Sequence, residues 1–261
     1  LNYALNGGTD VLDAWLSTDL RTVLLHTSVQ TTSFAYALSI SGVEDLAENE
    51  MTPGNVNFTG HYQVSTPIAE VQAYDENGLS PLVGEGVTIL GFITVPPGVF
   101  QPDRTNIFVQ DLSGGGVNVY NGNLLTSPPK EGDLVEITGE VEEYISSDGN
   151  GATTEVVGTD ATPFTLTTHA RGFDVVRPAI MRTGDMSQED FEGTYMTTSG
   201  VIISLEGFAI YIDDGSGSIQ VYQNFTDLDF SGYALGDSIG VTGVLLQYDY
   251  SAPYFGGYEL A

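Results

Sequence analysis

The chain has 261 residues, enough for two or three small domains that each bury a core. A hydrophobic content of 41% with 32 glycines and 16% charged residues is a globular composition rather than a disordered one. Its 35 Asp and Glu against 6 Lys and Arg, a formal charge of −29, argue against nucleic acid as a partner, because that affinity comes from cations neutralising phosphates.

No segment hides a basic patch: residues 1–65 carry 7 acids and 1 base, 66–168 carry 15 and 2, and 169–261 carry 13 and 3. The charge suits a solvated acidic surface in salty water, or carboxylate-lined loops that bind divalent cations. The absence of cysteine removes disulfides, thiolate metal sites and a thiol nucleophile. No run approaches the ~18 apolar residues of a membrane-spanning helix, so no membrane insertion is expected. The chain does not open on a basic and then apolar signal-peptide pattern. Because "LNYAL" at its start already reads as a strand, further chain or a folding partner is expected upstream.

In chain order, residues 1–66 contain the strand signals "TVLLHTSV" and "YALSISGV", a single helical turn expected over "VEDLAENEM" (43–51), and a Thr52-Pro53-Gly54 turn. Residues 67–168 hold "GVTILGFITV", the hairpin "NIFVQD"/"GVNVY", "DLVEITGEVEEY" and "TTEVVG". Residues 169–261 open on a connector in which "DMSQEDFEG" (185–193) is the best helix candidate, Ser187 being placed as N-cap. There follow "MTTSGVIISL", "FAIYIDD", "SIQVY" and "DSIGVTGVLLQY".

The last two segments repeat one another. "LVGEGVTILGFITV" (82–95) matches "DFEGTYMTTSGVIISL" (190–205), with Gly91 against Gly200. "IFVQD" (107–111) matches "IYIDD" (210–214), and "EGDLVEITGEVEEY" (131–144) matches "LGDSIGVTGVLLQY" (235–248). "ATTEVVG" (152–158) corresponds to "GGYELA" (256–261). Each copy is thus five strands, a count that suits a small closed Greek-key barrel, and Gly91, Gly139, Gly200 and Gly243 fall where such a barrel coils sharply.

On these motifs, residues 67–261 resemble the tandem OB-fold modules of bacterial secreted and surface proteins, often found beside extracellular nucleases or phosphoesterases. The elements "NY-x-L", "A-x-L-S-x-D-x-R-T-V-x-L" and "Y-x-L-x-I-x-G-V-x-D-L-A-x-N-x-M" of the first segment resemble a bacterial Ig-like module of S-layer type, without its first one or two strands. The expected fold is therefore all-β, a partial Ig-like β-sandwich followed by two five-stranded OB-type barrels. An open sandwich exposes strand edges, so the expectation is either that the sequence is a fragment of a longer chain or that another subunit supplies the missing strand by strand addition.

Chemistry is sparse. Phe92, Phe108, Tyr120, Phe208, Tyr211 and Tyr222 sit on the strands that OB folds use for single strands, but the cations such binding needs are missing, and core packing is the competing role. His26, His61 and His169, assigned to a strand, a domain junction and a linker, have neither a nucleophile elbow nor a spaced partner. No pair of carboxylates is marked out by its surroundings. Hard oxygen ligands on loops nominate Ca²⁺ at Asp213, Asp214, Asp227 and Asp229, with "SSDGNG" (Asp148, Asn150) as a further acidic loop; none has EF-hand spacing, and a tight hairpin turn explains "DDGSGS" equally well. Asn57 and Asn224 head Asn-Phe-Thr glycosylation sequons. The aromatic cluster "YDYSAPYFGGY" nominates Tyr248, Tyr250, Tyr254 and Phe255 for a carbohydrate ligand, or for packing between domains.

The expected function is non-enzymatic: an extracellular structural or adhesive protein of a bacterial or archaeal surface layer, sheath or filament, assembled with itself or with neighbouring surface subunits. The alternative is an accessory region of a larger secreted nuclease or phosphoesterase.

Overall fold

A computed structural model describes residues 2–61, 64–146, 149, 151–223 and 229–261. The chain divides into two compact units, Leu1–Val64 and Ser65–Ala261.

The first unit has two small sheets. Strands β1 (Tyr3–Leu5), β4 (Ala35–Ile40) and β5 (Gly54–Thr59) pair antiparallel in the order β1-β4-β5, while β2 (Val11–Leu16) and β3 (Val23–Thr27) form a hairpin. Its core is thin. Tyr36 is buried between the rings of Phe34 (4.7 Å) and Phe58 (5.5 Å), and its hydroxyl accepts from the Thr31 amide at 2.9 Å and Thr9 Oγ1 at 3.1 Å. Leu12, Leu16, Leu20, Val29, Leu46 and Val56 are half or more exposed. The helical turn expected at 43–51 is absent. Asp45 accepts from the amides of Ala47 and Asn49, and an antiparallel bridge joins Glu44 to Glu50. The short Asp side chain competes with helical hydrogen bonding for those amides.

The second unit is two closed barrels. In the first, β6 (Gly86–Val95), β7 (Thr105–Gln110), β8 (Gly116–Asn121), β9 (Leu134–Ile145) and β10 (Gly151–Val157) close in the order β6-β7-β8-β10-β9-β6, β8 and β10 being parallel. A sixth strand, β11 (Thr165–Ala170), extends β9 and spans the boundary expected after residue 168. After a two-residue strand β12 (Ala179–Ile180), the second barrel repeats the order with β13 (Tyr195–Glu206), β14 (Ala209–Asp213), β15 (Ser218–Tyr222), β16 (Ser238–Gln247) and β17 (Tyr258–Leu260), and β15 and β17 are again parallel. The fold is thus all-β, a partial sandwich followed by two five-stranded barrels of OB type.

The duplication extends to single bonds. Gly132 N donates to Ile93 O at 2.9 Å and Ile93 N to Asp133 O at 3.0 Å; in the second copy Gly236 N donates to Ile202 O at 2.9 Å and Ile202 N to Asp237 O at 2.8 Å. Both glycines have positive φ, 78° and 94°, which a side chain would strain. Gly139 and Gly243 serve closure instead: a Cβ there would collide with the carbonyl of Val157 or Ala261, at the end of each closing strand.

A one-turn helix, α1 (Ile68–Val71), was not expected. It buries Ile68 and Val71 fully under the first barrel. No side chain of its own caps it; the β7–β8 hairpin does, Asp111 Oδ2 accepting from Ile68 N at 2.9 Å and Ser113 Oγ from Ala69 N at 3.0 Å. The helix expected at 185–193 is two 3₁₀ turns, Thr183–Asp185 and Glu189–Phe191. Gln188 rather than Ser187 precedes the second, with no side-chain cap, so the Ser187 assignment is corrected. Met186 occupies the space between the turns, fully buried in the second barrel's core.

Each barrel has its own core, around Ile89, Ile107 and Ile137 in the first and Ile202, Ile212 and Leu260 in the second. A third apolar cluster joins them. It brings Val95, Phe100 and Phe108 of the first barrel against Val244 and Leu246 of the second. The two barrels thus pack against one another within the second unit.

Candidate functional site

The two barrels meet with parts of their outer faces turned toward one another and leave a cleft of about 590 Å³ between them. On one side are Asn106 and Phe108 of β7, Asn118 and Tyr120 of β8, Tyr144 of β9, and Thr153 and Glu155 of β10; on the other are Gln220 and Tyr222 of β15, Gln247 of β16 and Glu259 of β17, with Tyr248 and Tyr250 just beyond β16. Strand alternation accounts for this selection. Residues 118 and 120, 153 and 155, and 220 and 222 are same-face pairs, so β8, β10 and β15 each contribute two neighbouring side chains. A second depression of about 570 Å³ adjoins the cleft and shares Tyr120, Tyr144 and Glu155 with it.

The lining is aromatic and amide-rich. Tyr144, Tyr248 and Tyr250 are 52%, 42% and 72% exposed, and Tyr248 and Tyr250 meet edge to face at 5.7 Å. Arg104, the cation in the lining, donates to the Tyr120 hydroxyl at 2.5 Å. Gln220 Nε2 donates to Glu259 Oε2 at 2.8 Å. Burial pushes the Glu259 carboxyl up to about 7, and burial followed by the charges of Glu142 and Glu143 does the same to Glu155.

Next to the cleft lies a buried acidic junction. Glu192, on the connector entering β13, accepts from the Thr154 amide of β10 at 3.1 Å. Glu143 of β9 accepts from the Ser80 amide at 2.7 Å and the Thr154 hydroxyl at 3.1 Å. Glu189 accepts from the Tyr258 hydroxyl at 2.6 Å and Gln247 Nε2 at 3.1 Å. Desolvation, aided by mutual repulsion, raises Glu143 and Glu189 to about 7 and Glu192 well above the ordinary carboxylate range. Such shifts mark functional sites as well as structural networks. Here the three carboxyls bridge barrel one, the connector and barrel two.

The sequence candidates fall differently. Asp213 Oδ1 accepts from the amides of Gly215 and Gly217; Asp214 accepts from the Ser216 amide and the Thr183 hydroxyl, both at 2.9 Å, and from the Ser216 hydroxyl. These bonds hold Asp214 at about 2. Both carboxylates thus serve their own hairpin and the connector it clasps. Asp229 is exposed and accepts from the Ser231 amide. Asp227, Asn224, Asp148 and Asn150 lie outside the described residues. Among the described residues no three His, Cys, Asp or Glu side chains converge in a way that holds a metal ion. Asn57 is exposed on the edge strand β5.

Of the four aromatic candidates, Tyr248 and Tyr250 line the cleft. Phe255 packs edge to face with Tyr74 at 5.8 Å instead. Tyr254 is buried, its hydroxyl donating to Gly149 O at 3.3 Å and its amide to Asn77 O at 2.8 Å, so it faces packing rather than ligand. Phe92 and Phe108 are also buried. His169 lies on β11 rather than in a linker, 3.0 Å from Glu136, and His26 stacks on Trp15 beside Asp13. Sequence reasoning missed Asn118, Tyr144, Gln247 and the three junction glutamates. Period-two alternation was the signal available for the first three, and nothing local marked the glutamates as buried.

No family model and no curated protein matches this chain.

Proposed function

We propose that the chain is a non-enzymatic structural or adhesive protein of a bacterial or archaeal cell surface, which self-associates through strand contacts of its first unit. The observation that carries this reading is the thin, open construction of that unit. Its three-stranded sheet ends in β1 and β5, and neither has a further partner strand among the described residues. Val56 on β5 and Leu12 and Leu16 on β2 stand half or more exposed. Soluble proteins normally cover such edges, and a second copy adding a strand is the occupant that satisfies both backbone and apolar surface. The charge of −29 suits an exported, salt-exposed surface. No described helix is long and apolar enough to cross a membrane.

The test is light scattering after size exclusion over a concentration series, with electron microscopy of the concentrated sample. Concentration-dependent oligomers that disappear on Val56→Lys are expected. A monomer throughout the series overturns self-association.

A further inference from the structure

We propose that the cleft between the two barrels is a binding site for a neutral oligosaccharide. Its volume of about 590 Å³ lies within the range of small-ligand sites, about 300–1,000 Å³. A second depression of about 570 Å³ on the far side of Tyr120 and Tyr144 offers room for further sugar rings. Three observations select that chemistry.

The first is a set of hydrogen-bond acceptors that no donor reaches. Asn118 and Gln247 are 3% and 2% exposed and both line the cleft. Asn118 Nδ2 donates to Asn106 Oδ1 at 2.8 Å, and Gln247 Nε2 donates to Glu189 Oε2 and Tyr254 O, each at 3.1 Å. Asn118 Nδ2 also donates to Ile107 O at 3.3 Å; the backbone carbonyls of Ile107 and Tyr254 accept only, so both amides are held with nitrogen toward them. That leaves Asn118 Oδ1 and Gln247 Oε1, together with Gln101 Oε1 at the same cleft, without a donor among the described residues. A buried acceptor left unpaired costs about 1–3 kcal/mol; these oxygens have almost no accessible surface, so a ligand hydroxyl supplies the missing donor once a small shift of the cleft wall uncovers them.

The second is the rings. Tyr144, Tyr248 and Tyr250 present exposed aromatic surface beside these acceptors. Pyranose rings join an apolar C–H face to a rim of hydroxyl donors, so they match a wall of tyrosines interleaved with amide oxygens. The third is charge. Glu155 and Glu259 face the cleft with one cation, Arg104, so the lining offers no cluster of cations to hold a nucleotide, a phosphate or an acidic sugar. Glu155 and Glu259, held near 7, both donate and accept at neutral pH, as a hydroxylated ligand requires. The proposal stands independently of self-association, since both walls belong to one chain.

The experiment is isothermal titration of the full chain with soluble cello-, xylo-, manno- and chito-oligosaccharides of increasing length, with oligogalacturonate as the anionic comparison. Two variants accompany it, Tyr250→Ala and Tyr144→Ala, both at exposed positions and checked for unchanged circular dichroism. The expected result is saturable binding of at least one neutral series, absent for oligogalacturonate and weakened about tenfold or more by each substitution, as for an interface anchor. Failure of every neutral series to bind at millimolar concentration overturns the proposal. So does binding that both variants leave unchanged, or a preference for the anionic series.

Discussion

Asp111 accepts the amide hydrogen of Ile68 at 2.9 Å across 43 positions of chain, and so the first hairpin holds the segment that leads into its own barrel. Asp214, at the matching position of the second hairpin, accepts from the Thr183 hydroxyl at 2.9 Å, while Ser216 takes the Gly184 amide as Ser113 takes that of Ala69. The duplicated acidic hairpin is a clasp on the one-turn helix before each barrel. Asp111→Ala removes an N-cap bond and is expected to destabilise the second unit by about 1 kcal/mol. Asp111→Asn, which keeps an acceptor oxygen, recovers most of the loss. Urea denaturation followed by circular dichroism measures both.

The hydroxyl of Tyr258 donates to Glu189 at 2.6 Å in a junction that also buries Glu143 and Glu192, with Asp75, Asp190 and Asp249 adding negative charge around it. Glu143, Glu155, Glu189 and Glu259 have folded values near 7 against an unfolded value of 4.5. Between those values the folded state binds more protons, so stability falls as pH rises from about 5 to 7. The slope is at most about 1.4 kcal/mol per pH unit for each group. The denaturation midpoint is therefore expected to be higher at pH 5 than at pH 8, and Glu192→Gln to raise it at pH 8. A profile that is flat, or rises with pH, contradicts the assignment of these burials.

Gly116 and Gly193 pack backbone to backbone where β8 meets the connector. A Cβ on Gly116 would overlap the Gly193 carbonyl. Gln72 Nε2 closes the same contact, donating to Gly116 O at 2.6 Å. Gly116→Ala is expected to cost roughly 1–3 kcal/mol by overpacking and to loosen one barrel from the other. Hydrogen exchange should show lost protection at Tyr195, whose amide donates to Gln110 at 3.1 Å.

Trp15 is the protein's single tryptophan, and it lies in the first unit, where few apolar side chains are buried. Tryptophan fluorescence should therefore report a transition at lower denaturant than circular dichroism, which the strands of the second unit dominate. Tyr36→Ala, which empties the space between Phe34 and Phe58, should abolish the first transition and leave the second in place. One coincident transition by both probes would show that the units unfold together.

Much of the barrel architecture was legible because it repeats. Gly132 and Gly236 open the same hydrogen-bonded turn, and Gly139 and Gly243 admit the same closing strand, so each copy confirmed the other. The one-turn α1 was hidden, since four residues carry no period. Its cap comes from Asp111 and Ser113, far along the chain. Tyr250 and Tyr254 could not be told apart in a loop without alternation, yet one lines the cleft and the other is buried.

The sequence by itself determined the five strands of each barrel copy and the acidic surface, because these follow from local alternation, turn residues and net charge; β11 and β12 were not read from it. Tertiary structure alone decided which outer faces of the two barrels meet. The connector carrying Glu189, Glu192 and Gly193 sets that docking through bonds to Thr154, Gln72 and Gln247, all distant in sequence. Only that docking turns Asn118, Gln247 and five tyrosines into one cleft, and desolvates carboxyls that would otherwise be ordinary surface charges.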